Sequence, residues 1–419
     1  PIDQTTNTHL QNSGLGHLLS VSGVHMGVVG GIVFAALIWG LSLIAPIALR
    51  WPVKKLAAIG ALTALALYLV ISGSSVPALR AFVMAGVAFG AILLDRPAIS
   101  MRGLALAAII VVLLFPESVI EPGFQMSFAA TMALVALFEM LRRAPHESDL
   151  PTPGPLIGAL QWSSRAIGGV ICVSLVAGLA TDPFAIYHFQ RFSIYGLAAN
   201  LVSAPIMSFL VAPAAAAAAV LAPFGLAETP LGVMASGLDL VAAIGEAFGS
   251  LPEAIRALPK PPDAAFISCV AALLWACLWR GALRCGGVVL FAVSIGLYLN
   301  APRPIGAFDA DLRAVFAQVE EGDGARWSLI TSAGRSTYAR DRLGPMLGLA
   351  PAEIERLTPP ESCGGDVCTW QGSSGSNLAL VFTDAGFAGA CSAGALVLTR
   401  LHAPPDYQHR CALGALIDA

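Results

Sequence analysis

Two histidines stand eight residues apart in the stretch HLLSVSGVHMG, which runs from His17 to Gly27. Imidazoles can bind a metal ion or act as a general base. On a helix, His25 lies three residues from Ser22 on the same face, whereas His17 lies about two turns away, too far to share one ion. With no third ligand to complete a site, we predict neither a metal ion nor a cofactor here. We interpret Ser22, Gly23 and His25 as a polar, loosely packed entrance to the apolar segment that follows.

Three further stretches place polar groups inside long apolar runs. These are GSSVPALRAFVMAG, EPGFQMSFAATMAL and TDPFAIYHFQRFSIYGLAANLVSAPIMSFL, whose candidate residues are Arg80, Gln125, Ser127, His188, Arg191 and Asn200. A cation inside hydrocarbon is costly unless it reaches water, so such groups often line a hydrated cavity. A structural role stays open for each, because arginines near a span end extend to the interface and serines pack between membrane helices.

Membrane helices must position these stretches. Of the 419 residues, 57% are hydrophobic and 12% are charged, against about 25% charged in soluble domains. We therefore predict a mainly α protein: a polytopic transmembrane bundle of about 9–10 spans, followed by a small α/β or β-rich soluble tail. The candidate spans are 17–48, 54–72, 77–94, 101–115, 119–141, 164–186, 193–211, 212–224, 263–280 and 284–300. Acidic residues at helical spacing within 228–263 predict an amphipathic helix on the membrane surface.

Basic residues mark every second loop between the candidate spans. They are Arg50, Lys54 and Lys55, then Arg96 and Arg102, then Arg142, Arg143 and Arg165, and finally Arg280 and Arg284. The intervening loops carry Glu117, Glu121 and Asp182 instead. Because Lys and Arg collect on the cytoplasmic side, we expect the start of the chain and the tail after Asn300 to face outward. In a Gram-negative cell both would lie in the periplasm.

The composition changes after Asn300, where short β-branched or alternating runs replace the long apolar ones. We divide the chain into a transmembrane domain, 1–300, and a small extracytoplasmic domain, 301–419. Since the sequence opens on Pro1, we also expect a fragment whose upstream domain is missing.

Four cysteines lie in this tail, namely Cys363, Cys368, Cys391 and Cys411. An even number in an oxidising compartment favours two disulfides. We predict that Cys363 pairs with Cys368 and that Cys391 pairs with Cys411. A zinc site that uses His402 or His409 is the alternative, although the spacing of CGGDVC differs from that of zinc knuckles.

In order and spacing, four motifs resemble the competence domain of the ComEC family over about residues 9–300. The positions that match are Ser22, Gly23 and His25 in the first motif; Pro77, Arg80 and Met84 in the second; Gly123, Phe124, Gln125, Ser127 and Phe128 in the third; and Pro183, His188, Phe189, Asn200 and Pro205 in the fourth. Any one motif alone would be weak, and it is their order that makes the resemblance specific.

The resemblance implies a channel that carries single-stranded DNA into the cytoplasm during natural transformation, in the inner membrane of a bacterium. Its implied partners are single-stranded DNA, membrane lipid, an outer DNA receptor or pilus components, and a cytoplasmic DNA helicase; a homo-oligomer is left open. Arg80 and Arg191 could then attract phosphates, and aromatic residues could stack bases. Those aromatic residues are Phe124, Phe128, Tyr187, Phe189 and Phe192. A net charge of −3 favours a weakly binding conduit.

Catalytic signatures are missing from the sequence. Many family members carry a nuclease domain with an H-x-H-x-D-H metal cluster, but none of the seven histidines here forms one, and there is no G-x-x-x-x-G-K-S/T loop. We therefore predict no enzyme. A secondary transporter of a small solute is the alternative, because broken spans around a polar centre suit it equally. A polytopic enzyme acting on lipid or cell-wall precursors, with His25 or His188 as base, is less favoured because it lacks an acid partner or nucleophile.

Overall fold

The computed structural model describes most of the chain in two compact units. The described residues are 3–19, 23–142, 155–304, 306–309, 312, 314–321, 324–331, 337–359, 363–371, 377–392, 395–402 and 416–418. Unit 1 comprises Pro1–Ala185, Ser193–Ile255 and Ala264–Ile295, and unit 2 comprises Ile186–Phe192, Arg256–Asp263 and Gly296–Ala419. The division of the chain into domains 1–300 and 301–419 stays a prediction.

Helices dominate the first three hundred residues. They are α1 Gln4–Asn12, α2 Gly23–Ser42, α3 Ala45–Arg50, α4 Val53–Ile71, α5 Val76–Leu93, α6 Met101–Leu114, α7 Pro122–Leu141, α8 Pro155–Phe189, α9 Gly196–Ile206, α10 Ala212–Leu221, α11 Glu228–Gly249, α12 Asp263–Leu278 and α13 Cys285–Leu299. Proline stands in the first turn of α5 and α7, where its missing N–H costs no helical hydrogen bond. Within unit 1, α2 packs against α4 and α5 around Met26, Leu65, Ala78 and Ala81.

Among the described residues, eight segments are long and apolar enough to cross a membrane. They are His25–Ser42, Val53–Ile71, Val76–Leu93, Pro122–Leu141, Ile167–Phe189, Gly196–Phe224, Glu228–Gly249 and Gly281–Leu299. The apolar helices α6 and α12 are shorter. Many large apolar side chains of all these helices are exposed, as expected where lipid rather than water surrounds the helices. The predicted polytopic helical bundle is confirmed.

One pair of predicted spans is wrong. The stretches 193–211 and 212–224 do not form two crossings, because α9, a π-helical turn at Met207–Val211 and α10 follow one another without a break. The backbone stays in the right-handed helical region at both junctions, at Ile206 and Val211. Pro205 and Pro213 flank the π turn, and such a turn lets a helix continue past interrupted hydrogen bonds.

The predicted surface helix at 228–263 is also wrong in its placement. Helix α11 runs back along the combined α9–α10 helix: Ile194 N, just before α9, donates to Ala254 O, just after α11, at 3.1 Å. Midway along α11, Gly237 lies against Val211. Because α11 packs antiparallel to the α9–α10 span along its length, α11 is a second span. The number of membrane crossings within 193–249 therefore stays at two.

A polar helix docks on the far end of α11. Asp3 caps α1 through hydrogen bonds from Thr5 and Thr6, which lower the pKa of the Asp3 carboxyl to about 2. The buried residues of α11 recur at every fourth position, as Gly237, Val241, Gly245 and Gly249, and so form one stripe of mostly small residues. Leu10 of α1 lies against Gly245, and the backbone of His9 lies against Gly249.

Unit 2 contains the predicted small α/β tail. Its strands and helices are β3 Gly306–Phe308, β4 Ala314–Glu321, β5 Gly324–Thr331, α14 Thr337–Met346, α15 Pro351–Arg356, β6 Val367–Gln371, β7 Asn377–Val381, α16 Gly386–Ser392, β8 Leu396–Thr399 and β9 Leu416–Asp418. One sheet is antiparallel, β3-β4-β5, with Phe316 opposite Leu329; the other has the order β6-β7-β8-β9, in which only β6 and β7 are antiparallel. Residues of both sheets share an apolar core that includes Val315, Trp370 and Leu380.

Cysteine pairing in this tail involves three described residues. Cys363 and Cys368 form a disulfide. Cys391 is disulfide-bonded as well, whereas Cys411, its predicted partner, lies outside the described residues. Cys172, Cys269, Cys277 and Cys285 are free thiols. No group of three or more His, Cys, Asp or Glu within the described ranges could hold a metal ion.

Candidate functional site

A buried ion pair joins the starts of α5 and α7. Helix α5 begins after Ser75 and reaches Arg80 one turn later, where the residue is only 5% exposed. Its Nη1 atom donates to Glu121 Oε2 at 3.0 Å, and the Glu121 side chain remains 42% exposed. Glu121 is the N-cap residue of α7, so the carboxylate lies where a helix favours negative charge. Among the described residues, Glu121 supplies the only ion-pair partner of the Arg80 guanidinium.

Gly123 provides the space that the guanidinium occupies. A Cβ atom built on Gly123 would lie 2.5 Å from Nη2 of Arg80 and 3.4 Å from its Cζ. The first distance is too short for any packed pair of atoms, so the Nη2 end of Arg80 would have to move if position 123 carried a side chain. The second and third sequence motifs are therefore one structural feature, in which Gly123 accommodates Arg80 and Glu121 neutralises it.

The remaining residues of the third motif shape the beginning of α7. Gln125 Nε2 donates to Val119 O at 2.9 Å and so closes the turn that precedes the helix. The rings of Phe124 and Phe128 lie with their centroids 4.4 Å apart. The Ser127 carbonyl accepts a hydrogen bond from Thr131 Oγ1. These contacts stiffen the turn that carries Glu121 and Gly123.

The first motif starts α2 close to the same place. Met26 is buried with Ala78 and Ala81 of the first turns of α5, so His25, its half-buried neighbour, lies at the adjacent helix end. Ser22 lies outside the described residues, and Gly23 is the first residue of α2. In the preceding turn, His17 Nδ1 donates to Gly14 O at 3.1 Å. His17 itself is exposed.

The fourth motif divides between the two units. In unit 1, Pro183 lies inside α8 and Pro205 inside α9. Asn200, also on α9, is half-buried and makes no hydrogen bond within the described part of the chain. The charge pattern counts Asp182 as a loop residue, although the candidate span 164–186 includes it, and it lies inside α8.

In unit 2, the end of α8 concentrates aromatic and basic residues. The rings of Tyr187 and His188 meet edge to face at 5.1 Å, and Phe189 ends the helix with 47% of its surface exposed. Gln190 then adopts a left-handed conformation, φ 54°, and its Nε2 donates to Tyr187 O at 2.6 Å. That turn directs the chain into β1 (Arg191–Ser193), whose partner is β2 (Ile255–Ala257).

The sequence analysis missed Asp263 and Lys260, which contact Tyr187 in unit 2, and in unit 1 it missed the role of Glu121. Tyr187 Oη donates to Asp263 Oδ1 at 2.7 Å, and Lys260 Nζ lies 5.0 Å from the centroid of the Tyr187 ring. Glu121 was noted only as a loop charge. A sequence signal did exist for Glu121, because an acid before a span and an arginine in the first turn of another span are natural partners at one membrane face.

Several hydrogen bonds and ion pairs connect loops that are far apart in the sequence. Each of them connects loops that the charge pattern assigns to the same side of the membrane. On the outward side these contacts are Ser193 Oγ to Asn12 O at 3.0 Å, Ile194 N to Ala254 O at 3.1 Å, Arg80 to Glu121, and Tyr187 to Asp263. On the opposite side, Lys55 at the start of α4 pairs with Asp95 after α5 at 2.6 Å. The candidate residues brought together are thus Arg80 with Gly123 in unit 1, and His188 with Phe189 in unit 2.

The comparisons with known proteins agree on one family. The family model described as Competence protein matches residues 1–283. ComE operon protein 3 of Bacillus subtilis (strain 168) is 27% identical over 221 residues, which are 52% of this chain and 25% of that relative. The chain therefore spans about a quarter of the length of the curated relative that it matches. No solved structure matches the chain.

Proposed function

The chain belongs to the competence protein family, and we propose that it forms the membrane channel through which single-stranded DNA enters the cytoplasm during natural transformation. The observation that carries the proposal is the buried Arg80, held by Glu121 and accommodated by Gly123 at the mouth of two apolar helices. A guanidinium is retained at such depth at a high cost in solvation. A polyanion that passes close to Arg80 would be attracted by its positive charge.

The chemistry of the proposed path suits a conduit better than a tight binding site. Glu121 already compensates most of the Arg80 charge, so a passing phosphate competes for the guanidinium rather than meeting a free cation. Within unit 2, the exposed Phe189 ring at the end of α8 separately offers a stacking surface that does not depend on base sequence. Weak, exchangeable contacts of both kinds permit departure as well as entry, which transport requires.

The proposed orientation places the start of the chain and the tail outside the inner membrane. The same-side contacts described above support it, because each joins loops that alternate consistently with the basic residues. Reporter fusions after Arg143 and after Pro302 should therefore report opposite compartments, with the first in the cytoplasm. Activity of both fusions in the same compartment would contradict the orientation.

The proposed partners follow from the role of a passive channel. Among the described residues nothing suggests nucleotide hydrolysis, so we assign the driving force to a cytoplasmic DNA helicase and the delivery of DNA to an outer receptor or pilus. We propose that the chain itself is not an enzyme. A transporter of a small solute remains the second candidate, since the π-helical turn beside Pro205 locally distorts a span, and irregular spans are also a feature of transporters.

Uptake of labelled DNA tests the function directly. In a transformable host that lacks the gene, we expect DNase-resistant label to fall by at least about a hundredfold, while label bound outside the cell persists. Complementation with the gene should restore internalisation. Normal DNase-resistant uptake without the gene would exclude the channel, and altered growth on one small solute would favour the transporter.

A further inference from the structure

A short segment of unit 2, here named the strap, covers the end of α8. The strap comprises Arg256–Asp263. Its Leu258 N donates to Gln190 O at 3.0 Å, and Asp263 accepts the Tyr187 hydroxyl at 2.7 Å. Within unit 2, Tyr298 Oη also donates to Pro259 O at 3.4 Å, and Lys260 N donates to Met346 O at 3.0 Å. The strap is therefore held at both ends and in the middle.

The strap carries two exposed cations. Arg256 and Lys260 are both exposed, and neither forms an ion pair within the described residues. The carboxylates closest in sequence are Glu253 and Asp263, and among the described residues neither forms an ion pair with the two cations; Asp263 accepts the Tyr187 hydroxyl instead. The face of the Tyr187 ring lies under the Lys260 ammonium, which holds the cation in place without cancelling its charge.

Aromatic rings accompany these cations. The two hydrogen bonds that flank the β1–β2 ribbon, Leu258 to Gln190 and Ile194 to Ala254, set an antiparallel register in which Phe192 lies opposite Arg256. Opposite residues of an antiparallel pair share one face. Phe189 ends α8 with almost half of its surface exposed. Cations along an extended segment beside exposed rings are the elements of a single-strand binding surface.

We infer that the strap and the end of α8 bind single-stranded DNA, with Arg256 and Lys260 contacting phosphates and Phe189 stacking a base. The inference rests on the proposed function and adds to it a loading site for the strand. A stacking ring requires an unpaired base, which favours a single strand over a duplex. Anionic lipid is the less suitable occupant, because the strap belongs to the side proposed to face outward, whereas anionic headgroups enrich the cytoplasmic leaflet.

Binding of a labelled oligonucleotide tests the inference. The full chain is purified into nanodiscs of phosphatidylcholine alone, and the fluorescence anisotropy of fluorescein-labelled oligothymidine is titrated at several salt concentrations. The double variant R256A/K260A should bind about tenfold more weakly or worse, and the slope of log K against log salt should fall by about 1.4, since each phosphate neutralised on a single strand contributes about 0.7. F189A should weaken binding by a similar factor while leaving the salt slope unchanged.

A matched control separates this site from general surface charge. R342A/R356A removes two exposed arginines of α14 and α15 in the same unit and should bind as the wild type does. R256Q/K260Q keeps side-chain size and guards against misfolding. Equal affinity of wild type and R256A/K260A, or no binding by the wild type, would overturn the inference. The inference would also be overturned if R256A/K260A lost binding to phosphatidylglycerol vesicles only and bound the oligonucleotide as the wild type does. The uptake assay above judges the channel independently, so the two can fail separately.

Discussion

Alanine at position 80 is expected to abolish DNA internalisation, and alanine at position 123 is expected to reduce it through the same group. The methyl group added at position 123 would lie 2.5 Å from Nη2 of Arg80, so the end of the guanidinium has to shift and its contact with Glu121 is disturbed. Arg80→Ala removes the same cation outright. Breaking a buried pair costs about 3–5 kcal/mol, a figure reduced here because Glu121 is partly hydrated. DNase-resistant label per cell is the measurement, normalised to the amount of protein in the membrane.

The double variant distinguishes displacement of Arg80 from a general defect of α7. If Gly123 serves Arg80, then G123A/R80A should be no worse than R80A alone, because both act on one group. G90A on α5 is the matched control, since nothing lies within 4 Å of a Cβ there. Additive losses in the double variant would contradict the assignment, as would a fall in protein level that accounts for the whole loss.

Valine at position 249 is expected to detach α1 from α11. A side chain there would fall on the carbonyl oxygen of His9 and within 3.0 Å of its Cα and C atoms. Backbone cannot rotate away as a side chain can, so overpacking costs at least about 1–3 kcal/mol. We expect a lower melting temperature of the protein in detergent and faster maleimide labelling of a cysteine placed at Leu10, a buried position of α1.

Two other glycines of α11 calibrate this result. Gly245→Ala meets only Cδ2 and Cγ of Leu10 closely, so a rotamer change should absorb much of the cost. Gly232→Ala meets nothing within 4 Å and should be neutral or slightly stabilising, because alanine is the better helix former. If α1 docks on α11 as described, the loss of melting temperature should be largest for the variant at Gly249, smaller at Gly245 and absent at Gly232. Equal effects at the three positions would refute it.

Much of the architecture could be predicted because apolar length and basic loops report how segments partition between lipid and water. The same signal cannot report tertiary paths. Hydropathy treats 193–211 and 212–224 as separate runs, since it cannot tell that a π turn carries the helix through. It also gives no sign of α1, a polar segment whose position depends on the glycines of α11, more than two hundred residues away.

The candidate site divides in the same way. Arg80 could be identified from the sequence because a cation in an apolar helix is costly and therefore informative. Glu121 and the space at Gly123 could not be assigned to it, because the pairing depends on how α5 and α7 approach each other. For the strap, Arg256 and Lys260 look like ordinary loop charges in the sequence. They become informative only when the end of α8 is seen beside them.

The docking of α1 on α11 has a consequence for biosynthesis. The glycines of α11 that receive α1 are translated some 230 residues after it. At roughly 5–20 residues per second, α1 waits on the order of 10–50 s before its partner exists. During that interval the polar surface of α1 can remain solvated by water, so the undocked helix exposes little apolar surface. Docking of α1 on α11 within unit 1 is therefore a late event in assembly.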